Sequence, residues 1–588
     1  MKRKRITMKA PIEIKQKFDI HEHRVDVCIV GGGMAGLIAA VSAARHGAKV
    51  LLMQDRPVFG GNASSEIRMW ICGARGKDNK ETGILEEIML DNYYRNPTLN
   101  YPIWDTVLYE KARFQPGLDI LLNCTCNEVH TDGNRIVSIK GWQLTTQTWH
   151  VIHAKFFMDC SGDSVLRVCG AEHRWGREAR SEFNESLAPE TADRQTMGNS
   201  ILLQIREVTE HVPFIPPAWA YKFTEADLTY RNTRPTGHNF WWLEIGGTGD
   251  TIADTESNRD ELLKIGYGVW DFIKNHPDGR GHNWELDWIG SLPGKRENVR
   301  YVGDYILNQN DILAEGRFDD MVAYGGWTMD DHHPQAFYHR GAPTIFHSAP
   351  SPYGIPYRSL YSRNMENLFF AGRNISTTHM AMSSTRVMAT CALAGQAAGT
   401  AAALAVKYSC PPRGIYEHHI RELQETLMDD DCYLPWHTRP IPEICQKAQL
   451  TASTGDPEPL RNGIDRSLGD VDNGWWGEPG SWVEYRFEQL TQLTQARFTF
   501  DSNLREEKRM PCRYPIKGNK VHIPRVMTRD FDIEILDESG NWQLKQRITN
   551  NYQRLVKVEL NTFALGVRFI PRSTWGGSKA HLFAFDLR

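Results

Sequence analysis

Several signals are missing from this chain of 588 residues, and each absence narrows what it can be. Lys and Arg number 68 against 72 Asp and Glu, so no surplus of positive charge is available to follow a phosphate backbone, and no nucleic-acid partner is expected. The short basic start, Lys2 to Arg5, reads as a solvated tail. No run of 18 apolar residues is present, which argues against a membrane span. After Lys9 the sequence Ala10-Pro11-Ile12-Glu13-Ile14-Lys15 lacks the apolar centre of a signal peptide. A cytoplasmic location is therefore expected, or a periplasmic one if a leader has been removed. The 11 cysteines include no CxxC pair and no Cys/His spacing suited to zinc, so no metal centre is expected. Cys28, Cys160 and Cys391 lie in apolar stretches and read as reduced core thiols.

What is present begins with a globular composition, 41% hydrophobic and 24% charged, over a length that calls for more than one core. Val25 to Val30 reads as a buried strand. It runs into Gly31-Gly32-Gly33-Met34-Ala35-Gly36, followed by an Ala-rich helix from Leu37 to His46, a closing Gly47 and a second strand from Lys49 to Met53. The spacing Gly31-x-Gly33-x-x-Gly36 between a strand and a helix is a dinucleotide fingerprint. Gly31 permits the tight turn, Gly33 lets a pyrophosphate approach the backbone, and Gly36 lets the helix pack against the sheet. Met34 and Ala35 open the helix, whose free N–H groups and positive dipole end face the phosphates. The second strand should end in an acid that holds ribose hydroxyls. Here Gln54 stands at that position with Asp55 and Arg56 after it, and either Gln54 or Asp55 can do the work. Gly60-Gly61-Asn62-Ala63-Ser64-Ser65 follows, and this paired glycine resembles the one that flavoproteins with a glutathione-reductase-like domain carry at the same place, which favours a flavin dinucleotide over a nicotinamide one.

Two later segments point to the same site. Phe156-Phe157-Met158-Asp159-Cys160-Ser161-Gly162-Asp163 is a strand running into a small-residue turn. Before it, Ile120 to Cys126 and Arg135 to Lys140 read as a hairpin joined at Asp132-Gly133-Asn134. Asn367 to Asn374 contains another strand ending at Gly372-Arg373, and Thr385 through Leu404 reads as one long small-residue helix that includes Met388 and Ala389. Gly246-Gly247-Thr248-Gly249 follows a strand-like Phe240 to Ile245, but polar residues come after it, so it reads as a loop. With only one fingerprint, electrons are expected from a bound substrate rather than a second nucleotide.

Through Val30–Glu66, Asp159–Leu166, Trp327–Pro334 and Leu368–Leu404 the chain resembles the bacterial FAD-dependent oxidoreductases of the FAD oxidoreductase family. More distantly it is similar to the fumarate reductase and L-aspartate oxidase flavoproteins. The resemblance spans roughly Arg24 to Val406. It implies FAD as cofactor and assigns the paired glycines Gly60 and Gly61, with Asn62 and Ser64, to its ribityl and diphosphate part. It places Ser161, Gly162 and Asp163 against the diphosphate, the backbone near Cys126 against the adenine, and the later helix against the flavin pyrimidine edge.

For the chemistry, His379, just before that helix, is the first candidate base, and Arg386 a candidate for substrate contact. His332 and His333, in Asp330-Asp331-His332-His333-Pro334, are candidates for acid–base work, and Cys72 reads as core packing, with a place near the flavin as the alternative. After Val406 a proline-marked linker with a helix leads to alternating strands such as Val483, Tyr485 and Phe487. This pattern resembles discoidin-like modules, many of which bind sugars through loop aromatics; Trp475, Trp476 and Trp575 are the candidates here. The expected architecture is α/β: a Rossmann-like FAD-binding domain (24–165 and 351–408), an inserted α+β substrate domain (166–350), a linker (409–448) and an all-β sandwich (449–588), behind an N-terminal extension (1–23). The expected activity is hydride transfer from a substrate hydroxyl, of a carbohydrate, to flavin N5. A C=C reductase or desaturating oxidase of a carboxylate, or a glycan-binding protein with structural FAD, are the alternatives. The partner is a small molecule, and an oligomer stays open.

Overall fold

The computed structural model describes residues 17–235, 240–505, 510 and 520–588; the basic start Lys2 to Arg5 lies outside them. Its centre is a parallel sheet in the order Leu118–Leu121, Val50–Met53, Ile20–Val30, Thr148–Asp159 and Leu368–Phe370. Val27 to Val30, Val50 to Met53 and Leu368 to Phe370 are buried, as strands covered on both faces must be. The long strand Thr148–Asp159 offers one edge to two partners. Its first half pairs with the antiparallel hairpin Cys124–Asp132/Arg135–Gln143, and its last three residues pair with Leu368–Phe370. The hairpin expected from Ile120 is thus two elements. Leu118–Leu121 joins the parallel sheet, Asn123 turns with φ 53°, and the hairpin begins at Cys124.

Helix Met34–Arg45 buries every residue but the last and lies against helix Met388–Tyr408. The contact is backbone-close: a Cβ on Gly395 or Gly399 would collide with the carbonyl oxygen of Ala35 or Ala39. The expected single helix from Thr385 is two. His379–Thr385 ends at Arg386, and Val387, extended at φ −66°, ψ 143°, caps the second helix. By length and composition that second helix is long and apolar enough to cross a membrane, but 94% of its apolar window is buried inside the protein, as in a core helix.

The segment inserted between Thr148–Asp159 and Leu368–Phe370 in the chain has a separate core, in which Ile201 and Leu203 join Val269 and Trp270 of the amphipathic helix Thr255–Lys274. Gly246 to Gly249 is a turn, closed by a Gly249 N–H bond to the Gly246 carbonyl at 3.1 Å. Of the strand expected over Phe240–Ile245, only Glu244–Ile245 pairs.

The linker holds three helices, Pro412–His418, Ile420–Asp429 and Glu443–Lys447, and leads into an all-antiparallel β structure. Two long strands, Val483–Phe500 and Leu555–Thr574, pair along most of their length, with register shifts that bend them over a core of Phe498, Phe500, Phe531, Phe569 and Phe585. One hydrophobic cluster runs through both this unit and the parallel sheet. Buried Arg554 pairs with Asp431 at 2.8 Å, and Tyr552 stacks on Tyr94 at 4.1 Å, so the sandwich is packed on the rest of the chain.

Candidate active site

Three turns meet above the carboxyl ends of the parallel strands, where an open α/β sheet takes its ligands. Backbone bonds bring them together: Gly31 N–H to Met53 O at 2.8 Å, Cys160 N–H to Val30 O at 2.8 Å, and Ala371 N–H to Asp159 O at 3.2 Å. Gly31 has φ +101°, and a Cβ there would strike the backbone of Cys160 and Ser161. A Cβ on Gly36 would strike the Gly31 carbonyl oxygen, so Gly36 serves the helix contact and does not line the cavity. Gly33 differs: its nearest neighbour is the Gly61 Cα at 3.9 Å, which leaves that side open for a ligand. Gly60 and Gly61, with φ of 103° and 59°, sit opposite Gly33, and Gly60 N–H bonds the Gly32 carbonyl at 2.9 Å.

Beneath the second turn, the buried Asp159 carboxylate accepts from Ser161 N–H at 2.9 Å, Ser161 Oγ at 2.6 Å, Leu166 N–H at 2.7 Å and Tyr301 OH at 2.7 Å. It fixes the turn from below, a role the sequence reading missed. Asp163 at the turn's end bonds Arg373 at 2.7 Å, Lys295 at 2.5 Å and Asn298 at 2.6 Å. Burial alone would raise the Asp163 carboxyl, but Arg373 and Lys295 hold it below the usual range.

These turns line one cavity of about 470 Å³, within the size range of cofactor sites. Gly31, Gly33, Met34 and Ala35 line it from the first turn, and Gly60, Gly61 and Asn62 from the paired glycines. Ser161, Gly162 and Asp163 line it from the second turn, Gly372 and Arg373 from the third, and Met388 from the later helix. Gln54, Asp55, Arg56 and Cys126 close one end. Gln54 is already committed: its Oε1 accepts from Gly32 N–H at 2.6 Å and its Nε2 donates to the Val58 carbonyl at 3.1 Å. The exposed Asp55, 3.8 Å from Arg56 Nε, is a carboxylate on the cavity lining that can meet hydroxyls. Ser64 is outside the cavity because its hydroxyl turns back to the Gly61 carbonyl at 2.7 Å. Ala389 is outside it as well, its N–H bonding the Cys72 carbonyl at 2.9 Å. The open face of Gly33 fits a dinucleotide. So do the buried Nε atoms of Arg373 and Arg386, which have no hydrogen-bond partner among the described residues.

The opposite end of the cavity is walled by Trp70, Cys72, Trp241, Trp327 and Phe346, with Arg296, Asp330, His332 and Arg386 among them. His332 is buried, with Nδ1 2.6 Å from Glu244 Oε2 and Nε2 3.5 Å from Asp330 Oδ2. Glu244 is fully enclosed. Burial would raise its carboxyl, but Arg296 at 3.1 Å and His332 bring it down to about 2. Arg386 bonds the Asp330 carbonyl at 3.2 Å and its carboxylate at 3.4 Å. Burial opposes the Asp330 charge, and His332 and Arg386 hold it well below the usual carboxylate range.

Two of the expected catalytic histidines lie elsewhere. His379 does not line the cavity, and both its ring nitrogens are occupied, Nδ1 by Glu297 at 2.9 Å and Nε2 by Asp331 at 3.3 Å. Burial would lower its pKa, yet the two carboxylates raise it to about 10, which favours the charged form over a free base. His333 points away from the cavity and stacks on His339 at 3.6 Å. The reason is strand alternation: on Met329–His332, Asp330 and His332 face the cavity and Asp331 faces His379. Sequence reasoning missed Glu244, Arg296 and Trp241, which come from the inserted segment and carry no local motif.

The chain matches the model of the family described as FAD dependent oxidoreductase over residues 26–427. A stretch of 39 residues is 59% identical to fumarate reductase (cytochrome) of Shewanella frigidimarina, covering 7% of this chain and 7% of that protein. Among solved structures, a geranylgeranyl bacteriochlorophyll reductase-like protein from Thermoplasma acidophilum aligns at 15% identity over 70% of this chain and 84% of its own, with a TM-score of 0.30. A family 32 carbohydrate-binding module from Streptococcus pneumoniae EndoD aligns at 16% identity over 25% of this chain and 97% of its own, with a TM-score of 0.20. The chain spans a small part of the length of the curated relatives it matches, and it belongs to the FAD dependent oxidoreductase family.

Proposed function

We propose that the enzyme oxidises a hydroxyl group of a neutral, carbohydrate-type substrate, with His332 as the proton acceptor. Bound FAD supplies the hydride acceptor, at flavin N5. The observation that carries this reading is His332, buried at the cavity wall with Nδ1 anchored on the Glu244 carboxylate. That contact fixes the ring; the other nitrogen lies 3.5 Å from Asp330 Oδ2, longer than the contacts that hold His379, and in the neutral tautomer with the proton on Nδ1 it is the base a substrate hydroxyl would meet beside Asp330. His332 Nε2 would take the hydroxyl proton as the substrate carbon is oxidised to a carbonyl. Glu244 and the nearby Asp330 stabilise the imidazolium that results. Trp70, Trp241 and Trp327 offer flat apolar surface to the C–H faces of a sugar ring.

The carboxylate reading has less support. Arg386 is already matched with Asp330 and Arg296 with Glu244, so a dicarboxylate would have to enter beside two carboxylates. Anaerobic mixing of the flavin-replete protein with sugars, then with dicarboxylates, tests the proposal. Bleaching of the flavin band by a sugar is expected. Reoxidation of chemically reduced enzyme by an unsaturated dicarboxylate would replace this reading, and tight sugar binding with no bleaching would favour a binding protein that keeps FAD for structure.

A further inference from the structure

The mouth of the cavity and the C-terminal sandwich are joined by one loop. Arg75, exposed at the cavity, stacks on Trp327 with its guanidinium 4.2 Å from the ring centre. Two residues further on, Lys77 pairs with Asp470 of the sandwich at 3.0 Å. Buried Arg466 of the sandwich then donates to the carbonyls of Asp78 and Lys80 at 2.9 and 3.0 Å and to Thr82 Oγ1 at 3.0 Å. Guanidinium bonds to three groups of one loop fix its position, so this edge of the sandwich keeps a constant relation to the mouth.

On that edge, two residues past Asp470, Asp472 accepts the indole N–H of Trp476 at 2.6 Å. One face of Trp476 is covered by His581, with ring centres 3.9 Å apart and planes 8° from parallel, yet Trp476 is 39% exposed. His581 is itself buried and held through Nδ1 by Asp501 at 2.9 Å. The result is an aromatic plate backed by His581 and part-exposed on the surface, with a half-exposed carboxylate at its rim whose Oδ1 also lies 3.0 Å from His581 Nε2. An apolar face bordered by an acceptor matches a pyranose, whose C–H bonds lie on one face and whose hydroxyls project at the edge. The other two Trp candidates do not offer this: Trp475 is buried with its N–H on the Thr454 carbonyl, and Trp575 is turned against Tyr94.

We propose that Trp476 and Asp472 form a distal sugar subsite held at a fixed offset from the cavity mouth, so that the preferred substrate is an oligosaccharide. Its oxidised unit occupies the cavity and a later unit rests on Trp476, with the chain passing Arg75 and Lys77. The preference for longer chains rests on the hydroxyl-oxidation reading; sugar binding at Trp476 does not.

The test uses the full flavin-bound chain with mono-, tetra- and hexasaccharides of glucose, galactose, mannose and xylose. Binding is read by calorimetry and turnover by flavin reduction. The wild type should favour the hexasaccharide of one ladder over its monosaccharide in kcat/KM, and Trp476→Ala should reduce that preference about tenfold, the scale of one stacked ring. Trp476→Phe, which keeps a plate, should restore most of it. Loss of hexasaccharide affinity in Trp476→Ala without any flavin bleaching in the wild type would support the subsite and sink the oxidation reading. Turnover independent of chain length, an unchanged preference in Trp476→Ala, or no hexasaccharide binding by the wild type would overturn the subsite.

Discussion

Glu244 and His332 allow the chemical and structural parts of the site to be separated. In Glu244→Gln the buried Arg296 keeps the Ser200 hydroxyl at 2.6 Å and the Trp241 carbonyl at 2.9 Å but loses the carboxylate it is paired with, leaving only the more distant Asp330 among the described residues. An uncompensated buried charge of this kind costs about 3–5 kcal/mol. The pH dependence points the same way. Glu244 is brought from 4.5 to about 2 in the folded protein, which is about 3 kcal/mol at 1.36 kcal/mol per unit. Because the folded value is the lower one, this stability is present above pH 4.5 and is lost as pH falls toward about 2. His332→Asn leaves the Glu244–Arg296 pair in place and should be much less destabilising. Both variants should slow flavin reduction by substrate about 10²–10⁴-fold, the usual range for a lost general base. The assay is anaerobic stopped-flow reduction beside urea unfolding of the same samples. Equal stability losses in the two variants, or reduction by His332→Asn at the wild-type rate, would refute the assignment.

The remaining predictions concern the cofactor site and the second carboxylate network. Gly33→Val places its side chain in the opening beside Gly61, so the protein should fold but purify with little flavin, read from the ratio of visible to ultraviolet absorbance. Gly31→Ala places a Cβ on the Ser161 backbone at φ +101° and should lower both flavin content and melting temperature. His379, raised from 6.5 to about 10, contributes stability that is full below pH 6.5 and disappears as pH rises through about 10. His379→Gln should therefore flatten urea-unfolding stability over that window by a few kcal/mol, while a base role would predict mainly a loss of rate. Asp163, lowered in the fold, contributes stability above its ordinary pKa that is lost as pH falls below it; Asp163→Asn should remove that acid limb.

The parts of the site that could be read from sequence are those whose physical cause is local. Gly31, Gly33 and Gly36 have separate tasks within six residues, and each task is visible as a specific collision or opening around that glycine. The return of the chain at Gly372 was legible because a strand ending in glycine before a small-residue helix repeats the same requirement. What could not be read depends on distant partners. His379 looked free because Glu178, Glu297 and Asp331, which surround it, come from three separate segments. Glu244 has no motif of its own; it matters because the hairpin bearing His332 folds over it. The break at Arg386–Val387 contains neither proline nor glycine, yet it is what places Arg386 on the cavity wall. Trp475 and Trp476 illustrate the limit of period-two reasoning. One had to be buried and the other exposed, but which one depends on the pairing with Leu582 and His581.

The most direct measurement is the rate of anaerobic flavin reduction by a sugar that carries deuterium on the oxidised carbon. Hydride abstraction assisted by His332 predicts that bleaching slows relative to the protiated sugar, and that the slowing persists in His332→Asn at its lower rate. Bleaching at the same rate with both isotopes under conditions where reduction is limiting, or no bleaching with any sugar, would contradict the account.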